Sequence, residues 1–373
     1  MKSKILFLFH LPPPVHGSSV MGKAIYDSKS INESFYCKYI NLILSRKVDE
    51  TGILSLEKIM RVVQILFKLL SEIVFHKPQL AYLALTATGA AFYKDVLLVA
   101  MLRVFKIKTV YHLHNKGFKN AATNPFNKYL YRFVFKNTDV ILLSKRLYYD
   151  ISDFVPEDRV FVCPNGIVDL VSSSEFRVPS SKLITQNSEF RTTNLLFLSN
   201  LIESKGVYVL LEACKLLDNK NIDFNCIFIG GEGDITAKQL NEKIESLGLE
   251  NKVMYVGKKY GAEKNSYWQK ADVFVFPTYF ETFGLVNLEA MQYSLPVVST
   301  YEGGIPDVVE DGVTGFLVSQ KDVHALADKL EILIKKPELR KQMGEAGRSK
   351  YEEEFTLEKF ENRMLNIITE VLK

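Results

Sequence analysis

The sequence predicts an α/β protein made of two Rossmann-like domains, and three observations lead to that prediction. The chain has 373 residues, more than a single hydrophobic core usually serves. Segments typical of strands alternate with segments typical of helices, first over residues 4–163 and again from residue 195 onward. A polar, Ser-rich stretch at 171–193 separates the two series and is the best candidate for a linker. Strands that alternate with helices form parallel sheets covered on both faces.

Composition and charge narrow the class of protein. Hydrophobic residues make up 47% of the chain and charged residues 24%, which is ordinary for a folded domain. The net charge of +4 is unevenly spread: residues 1–190 hold 25 Lys and Arg against 15 Asp and Glu, leaving 22 against 28 for the remainder. The basic half suits an anionic lipid surface or a lipid-linked diphosphate, whereas no motif supports nucleic acid. No stretch reaches the roughly 18 apolar residues of a membrane span, and four scattered cysteines suit a reducing cytoplasm.

The elements of the first half follow from short apolar runs and helical periodicity. Residues 4–9 are predicted to form a strand, because Pro12, Pro13 and Pro14 end the apolar run too early for a signal peptide. The further strands are predicted at 80–85, 108–113, 140–143 and 160–163. The helices are predicted near 18–30, 55–75, 89–105, 122–137 and 145–154.

The second half repeats the alternation. Its strands are predicted at 195–199, 224–230, 253–256, 273–276 and 296–299. Its helices are predicted at 207–217, 236–247, 263–270, from 284 through Glu289, and at 323–335, with further helix from residue 351 to the end. Ligands in open α/β sheets bind outside the carboxyl ends of the strands, so the interdomain cleft is the expected site.

The most informative run is a βαβ unit at residues 273–304. A strand ends at Pro277, a short aromatic loop carries Glu281, and Gly284 opens a helix that holds Glu289. Free N–H groups at a helix start bind anions, and eight residues of helix span roughly 12 Å. One acid can therefore meet a sugar and the other a ribose, with a diphosphate between them. The layout predicts a site for a nucleotide-sugar, although an isolated pair of glutamates would more often be solvated helix charges.

This run resembles the retaining glycosyltransferases of the large GT4 family, and the resemblance covers essentially the whole chain. It rests on the Glu281–x7–Glu289 spacing, the Phe283-Gly284 pair, and the segments LPVV at 295–298 and GGIP at 303–306. The resemblance implies the GT-B fold, in which two Rossmann-like domains face each other across a cleft. The implied domains are 1–172 for the acceptor, with a C-terminal helix of about 356–373 packed back on it, and 173–355 for the donor.

The resemblance also implies roles for the residues of the βαβ unit. Glu289 is expected to hold the ribose and Glu281 to face the sugar. The N–H groups of Phe283, Gly284 and Leu285 are expected to bind phosphates or sugar.

Two loops of the first half carry candidate residues. The loop at 11–20 resembles the N-terminal substrate loop of the GT4 enzymes, where Gly17 lets the backbone approach a ligand and Ser18 or Ser19 can cap the next helix. An ordinary strand-to-helix turn is the alternative. His114 matches the histidine that those enzymes carry at the end of a strand, and we expect it to contact the sugar or leaving group. His112 lies on the same face and is given no role.

The second half begins with a loop that resembles the diphosphate-binding loop of the same family. Lys205 matches the lysine of that pattern, but Asn200 stands where the family carries an arginine, so a full charge and a bidentate fork are lost. Lys205 and the helix N-terminus are therefore expected to neutralise more of the phosphate charge, with weaker catalysis or a further Lys or Arg that reaches in as the open alternatives. Gly231 and Glu232 belong to a Gly-x-Gly turn that lies near the nucleotide in similar enzymes, although a plain turn is equally consistent with it.

Together these patterns predict a retaining glycosyltransferase with Glu281, His114 and Lys205 in its chemistry. No cofactor or metal is expected, because the sequence lacks the Asp-x-Asp pair of metal-dependent transferases and Lys205 with a helix dipole can replace the cation. The expected partners are a nucleotide-sugar, with UDP favoured, and a saccharide or lipid-linked saccharide of surface polysaccharide assembly. The alternatives are a nucleotide-sugar 2-epimerase and a non-enzymatic carbohydrate-binding protein.

The expected location is the cytoplasm, with peripheral attachment to the inner face of the membrane as an open alternative. The helix around 61–77 and the basic aromatic stretch at 127–136 combine aromatic side chains with cations, as helices at a headgroup interface do. Packing helices look similar, and the sequence does not separate the two.

Overall fold

The computed structural model describes residues 2–43, 56–171 and 192–373. The chain divides into two compact units, Met1–Asn165 with Leu357–Lys373, and Gly166–Thr356. The stretch at 171–193 that we expected to be a linker lies, except for its ends, outside the described residues. No helix in the described ranges is long and apolar enough to cross a membrane.

A parallel sheet of six strands forms the centre of the first unit. Its strands are β1 (Lys4–Phe9), β2 (Tyr36–Asn41), β3 (Leu80–Leu83), β4 (Lys108–Leu113), β5 (Asp139–Leu142) and β6 (Val160–Val162). Its helices are α1 (Gly17–Asp27), α2 (Lys29–Ser34), α3 (Leu56–Ser71), α4 (Gly89–Val104), α5 (Phe118–Ala121) and α6 (Pro125–Phe135). The strand order is β2-β1-β3-β4-β5-β6, and every pair is parallel. β1 and β3 are almost wholly buried, as expected of central strands covered on both faces.

The second unit repeats this architecture. Its strands are β7 (Thr193–Leu198), β8 (Phe224–Ile229), β9 (Val253–Tyr255), β10 (Val273–Val275), β11 (Val297–Thr300) and β12 (Gly315–Val318). Its helices are α7 (Val207–Asn219), α8 (Ala237–Ser246), α9 (Gly261–Lys270), α10 (Leu285–Gln292), α11 (Ile305–Val308), α12 (Val323–Lys335) and α13 (Pro337–Lys350). The sheet order is β12-β11-β10-β7-β8-β9, again with every pair parallel. The last helix, α14 (Leu357–Leu372), belongs to the first unit, where it packs against α2.

The predicted α/β class is confirmed, and every predicted strand is present with ends that differ by at most two residues. The sequence analysis missed β2, β12, α5, α11 and α13. β2 is an edge strand with only Ile40 buried, so its apolar signal is weak. β12 has four residues and starts with Gly315, where any Cβ would collide with the backbone of Val297.

Three predicted helices have different bounds in the structure. The helix near 18–30 is split into α1 and α2 at Ser28, whose side chain caps α2. The helix near 145–154 is a short 3-10 turn, Lys145–Asp150. The C-terminal segment is interrupted by extended backbone at Thr356, which separates the π-helical turn Tyr351–Phe355 from α14.

The strand order shows where the chain stops adding strands to one side of each parallel sheet and continues on the other side. In the first sheet the order reverses between β1 and β3, and in the second between β7 and β10. In open α/β sheets the crevice at the carboxyl ends of such neighbouring strands is the usual ligand site. The loops that follow β7 and β10 are therefore the place to look for chemistry in the second unit.

Candidate functional site

The switch point of the second sheet brings two predicted residues together. Lys205 ends a 3-10 turn after β7, and Glu281 lies in the loop after β10. The Lys205 Nζ and the Glu281 Oε2 are 2.9 Å apart, and the same ammonium donates to the carbonyl oxygen of Phe280 at 3.0 Å. Both side chains are about one-fifth exposed, so the pair remains open to a ligand.

The two loops are fastened to each other by their backbones. The Tyr279 N–H and the Thr278 hydroxyl both donate to the carbonyl oxygen of Ser204, at 2.8 and 3.0 Å. Gly206 follows Lys205 with a φ of 84°, and a Cβ there would collide with the carbonyl of Pro277. Only glycine combines this backbone conformation with such a close approach. The backbone at Lys205 is therefore positioned by the contacts between the two loops.

The Glu281 carboxylate is held by its own loop. Its Oε1 accepts from the N–H groups of Thr282 at 2.8 Å and Phe283 at 3.4 Å. Its backbone N–H donates to Oε1 of Glu302 at 3.1 Å. The Phe283 N–H, which we expected to bind phosphate or sugar, thus already faces Glu281.

Gly284 is the N-cap of α10, which agrees with its predicted place at the helix start. Its backbone is left-handed, with a φ of 79°. Leu285 is the first residue of that helix. Neither side-chain nitrogen nor oxygen of the fully buried Asn287 has a hydrogen-bond partner, and a Cβ on Gly284 would lie 2.7 Å from its Nδ2. The α10 N-terminus therefore presents helix-dipole charge beside an amide that the sequence analysis did not single out.

Glu289 lies in the second turn of α10, as predicted, and is half-buried. Its carboxylate forms an ion pair with Lys264 of α9. The sequence analysis missed Lys264, because a lysine near the start of a polar helix gives no sign of which neighbouring helix it will contact.

Asn200 and the turn after β8 form a second cluster. The Gly231 N–H donates to Oδ1 of Asn200 at 3.2 Å, so the asparagine joins two loops. The exposed Lys258 side chain lies over Gly231, where a Cβ would collide with it. Its role as a further cation beside Asn200 stays a prediction. Glu232 accepts from the Ala237 N–H at 2.7 Å and so caps the start of α8.

In the first unit, Gly17 is the first residue of α1, but the predicted cap is wrong. The N-cap residue is His16, whose ring nitrogen accepts from the Ser19 N–H at 3.3 Å, while the Ser19 hydroxyl accepts from the His16 N–H at 3.0 Å. This reciprocal capping box satisfies two backbone donors that Ser18 or Ser19 alone would leave unpaired.

His114 follows β4, and its ring is tilted by 38° against the ring of His112, with the centroids 4.1 Å apart. His112 shares a 2.6 Å hydrogen bond with the Tyr82 hydroxyl. Burial lowers the pKa of His114 to about 3, with a smaller effect from His16. Burial, followed by Lys94, lowers the pKa of His10 to about 3. Both rings are therefore neutral at pH 7, and His10, which the sequence analysis missed, belongs to the same cluster.

The predicted residues thus fall into separate groups. In the second unit the structure pairs Lys205 with Glu281 and Asn200 with Gly231, while Glu289 pairs with Lys264. In the first unit His114 interacts with His16, the neighbour of Gly17. Within the described ranges, no group of three or more His, Cys, Asp and Glu side chains is arranged to hold a metal ion.

The sequence and the fold are both similar to those of known glycosyltransferases. The sequence pattern of Glycosyl transferases group 1 matches residues 184–350. The capsular polysaccharide biosynthesis glycosyltransferase CapM of Staphylococcus aureus is 27% identical over 259 residues, which cover 68% of this chain and 67% of CapM. The chain spans from about half to two thirds of the length of the curated relatives it matches.

Solved structures are similar over almost the whole chain. A glycosyltransferase from Rickettsia africae has a TM-score of 0.75 at 21% identity, covering 100% of this chain and 99% of that one. Anabaena HepE, in complex with UDP and glucose, has a TM-score of 0.71 at 20% identity, covering 98% and 99%. Similarity at these identities shows the fold, and the predicted GT-B fold class is confirmed.

Proposed function

We propose that the chain is a member of the glycosyl transferases group 1 family, whose pattern matches residues 184–350, and that it is a retaining, metal-independent enzyme acting on a UDP-sugar. The sugar passes to a saccharide or lipid-linked saccharide in surface polysaccharide biosynthesis. The observation that carries the proposal is the Lys205–Glu281 pair at the switch point, next to the glycine that opens α10.

The clamp for the donor diphosphate is built from two kinds of positive charge. Lys205 supplies a full charge, and the α10 N-terminus supplies aligned N–H dipoles. Lys258 supplies a second ammonium beside the loop that contains Asn200, where the family carries an arginine. Charge that develops on the leaving diphosphate is stabilised by these groups without a cation. We therefore expect activity to persist in EDTA.

The hydrogen bonds of Glu281 favour a front-face route over a covalent one. Both carboxylate oxygens are engaged, one by two backbone N–H groups and the other by Lys205. A carboxylate held in this way is a weak nucleophile and a good acceptor for a sugar hydroxyl. The leaving diphosphate then assists the incoming hydroxyl on the same face of the sugar, which retains the anomeric configuration.

Glu289 is the proposed acceptor for the ribose hydroxyls of the donor. It lies in the second turn of α10, one turn beyond the phosphate-binding end, and Lys264 orients its carboxylate. The UDP preference is supported by HepE, a protein of the same fold solved with UDP and glucose. The pathway is supported by the name of the relative CapM. The roles of Gly17 and His114 stay predictions.

Thermal shift measurements with UDP, GDP, ADP and UDP-glucose test the donor assignment. UDP and UDP-glucose should raise the melting temperature of the wild type. Glu289→Gln should weaken binding by about tenfold or more, because a charged hydrogen-bond acceptor is lost. Lys205→Ala should weaken it similarly.

Glu245→Gln is the matched control, since that carboxylate is exposed on α8 and should leave binding unchanged. Stabilisation by GDP or ADP alone would overturn the UDP assignment. Stabilisation by no nucleotide would favour the non-enzymatic alternative. Epimer formation from UDP-sugar without any acceptor would favour the 2-epimerase instead.

A further inference from the structure

The first unit exposes an unusual row of apolar side chains on α3. Leu56, Met60, Val63 and Phe67 recur at intervals of three and four residues, which places them on one face of the helix. All four are exposed, and Phe67 is 69% accessible. The opposite face, with Ile65 and Leu69, packs into the unit. The outer row is therefore not needed for the core of this unit.

Neighbouring helices extend this apolar face. α3 packs on α4 and α4 packs on α6. α4 exposes Leu97 and Val104, and α6 exposes Phe126. The Tyr93 hydroxyl of α4 donates to Asn127 Oδ1 of α6 at 2.9 Å, which joins the two helices at the surface. Exposed apolar side chains therefore recur on all three helices of this layer, and exposed apolar surface of this kind marks an interaction site.

The same layer is strongly basic. Between Asp95 and Asp139 the chain contains eight Lys and Arg and no Asp or Glu. Three of these cations, Lys128, Arg132 and Lys136, are exposed along α6. A surface that combines apolar side chains with exposed cations is suited to an anionic bilayer.

A cavity lies where this layer meets the amino end of the sheet. Its volume is about 800 Å³. Its walls include the cations Arg103, Lys106, Lys108, Lys136 and Arg159. Exposed Val104 and Phe105 stand beside them in the chain. An anionic headgroup in this cavity would meet positive charge while its acyl chains lie along apolar side chains.

We infer that the outer face of α3, α4 and α6 docks on an anionic phospholipid bilayer, with the basic cavity receiving a phosphate headgroup. A second copy of the chain fits less well, because a two-fold contact would bring the exposed cations of α6 against a like-charged surface. Nucleic acid fits less well, because the row on α3 is apolar and offers no hydrogen bonds to a phosphate backbone. Docking would hold the unit at the surface that carries a lipid-linked acceptor, a consequence that rests on the proposed function.

Vesicle cosedimentation tests the inference with the full chain and without donor or acceptor. Phosphatidylcholine vesicles that contain phosphatidylglycerol should bind the protein, and phosphatidylcholine alone should bind it at least tenfold more weakly. Binding should fall with added salt, because surface charges are screened. Since no sugar substrate is present, a negative result here is separable from failure of the proposed transferase activity.

Two variants separate the apolar and basic contributions. Val63→Gln with Phe67→Gln should lower the vesicle partition coefficient at least tenfold, because two exposed apolar side chains lose their burial in lipid. Lys106→Glu with Lys108→Glu should lower it more than tenfold on anionic vesicles only. If the first double variant does not fold, the double variant Ile59→Gln with Met60→Gln replaces it, because both side chains are exposed on α3 and the same loss of binding is expected.

Matched controls lie in the second unit. Met254→Gln and Lys341→Glu replace exposed side chains of the same kinds and should bind vesicles like the wild type. The inference is overturned if anionic vesicles fail to bind the wild type or if both pairs bind like it. It is also overturned if light scattering shows a dimer that the Val63 and Phe67 changes dissociate, because α3 would then face a second copy.

Discussion

At the scale of single residues, the candidate site contains polar groups that the surrounding fold leaves unsatisfied. Asn287 is the clearest case, since its amide is fully buried beside the Gly284 turn and neither side-chain atom has a partner. Burying an amide without hydrogen bonds costs stability that packing elsewhere must offset. Residues retained at such a cost are often tied to function, and the amide lies at the helix end that we propose for phosphate binding.

Asn287→Leu tests this cost directly. Leucine has nearly the shape of asparagine and no polar atoms, so the free energy of unfolding should rise by about 1–2 kcal/mol. Chemical denaturation without nucleotide measures the change. Asn194→Leu is the control, because the Asn194 amide donates to the Lys270 carbonyl at 3.0 Å and accepts from Asn225 at 3.1 Å. Asn194→Leu should lower the free energy of unfolding. If Asn287→Leu lowers it too, the Asn287 amide has a hydrogen-bond partner and the argument is contradicted.

At the scale of elements, one arginine fastens the end of α13. The Arg348 guanidinium makes two hydrogen bonds to the Asp169 carboxylate, at 2.5 and 3.1 Å. It also donates to the carbonyl of Gln292 at the end of α10, and to Glu352 in the π-helical turn. The site helix α10 is thereby joined to the segment that enters the second unit. The planar fork of arginine suits this two-oxygen contact, and lysine cannot reproduce it.

Arg348→Ala should lower the free energy of unfolding by about 2 kcal/mol, because Asp169 is left largely buried without its partner. Arg348→Lys should recover less than half of that loss. Urea denaturation followed by circular dichroism measures both. Lys238→Ala is the control, since its 3.7 Å pair with Glu242 is exposed and should contribute less than about 0.5 kcal/mol. Equal effects at the two sites would contradict the fastening role of Arg348.

At the scale of the whole molecule, the titratable histidines are unevenly divided. Five of the six histidines belong to the first unit, and His324 alone belongs to the second. Burial is the main cause of a lowered pKa at all five, and the pKa of His10 and of His114 falls to about 3. A histidine whose pKa is lowered in the folded state stabilises the protein above its unfolded pKa of about 6.5. That contribution is lost as the pH falls toward the folded pKa.

Acid should therefore loosen the first unit before the second. Between pH 7 and pH 5, His10 and His114 should each remove up to about 2 kcal/mol of stability. Hydrogen exchange, corrected for intrinsic rates, should show lost protection in peptides of the first unit only. His114→Asn should reduce the loss, and His324→Asn should leave it unchanged. Uniform loss across both units would contradict this assignment.

The sequence alone predicts most of the second sheet and the core of its site. Apolar runs with clear turn signals locate every predicted strand, and the run from Pro277 to Glu289 places both acids on the correct loop and helix. The missed strands are short or lie at an edge, where burial is too slight to leave a pattern. His16 was missed as a cap because histidine rarely fills that position, so the serines beside it were the better expectation.

The sequence by itself determined the α/β class, the repeat of strand and helix, and the residue types that can hold a nucleotide-sugar. Periodicity and local spacing are properties of the chain and need no partner. Only the tertiary structure decided that Glu281 turns to Lys205, that Lys264 meets Glu289 and that Lys258 covers Gly231. Only it shows that the apolar row of α3 faces outward. These contacts join loops and helices that are separated in sequence. Their pairing depends on strand order and on which face of each helix packs against the core.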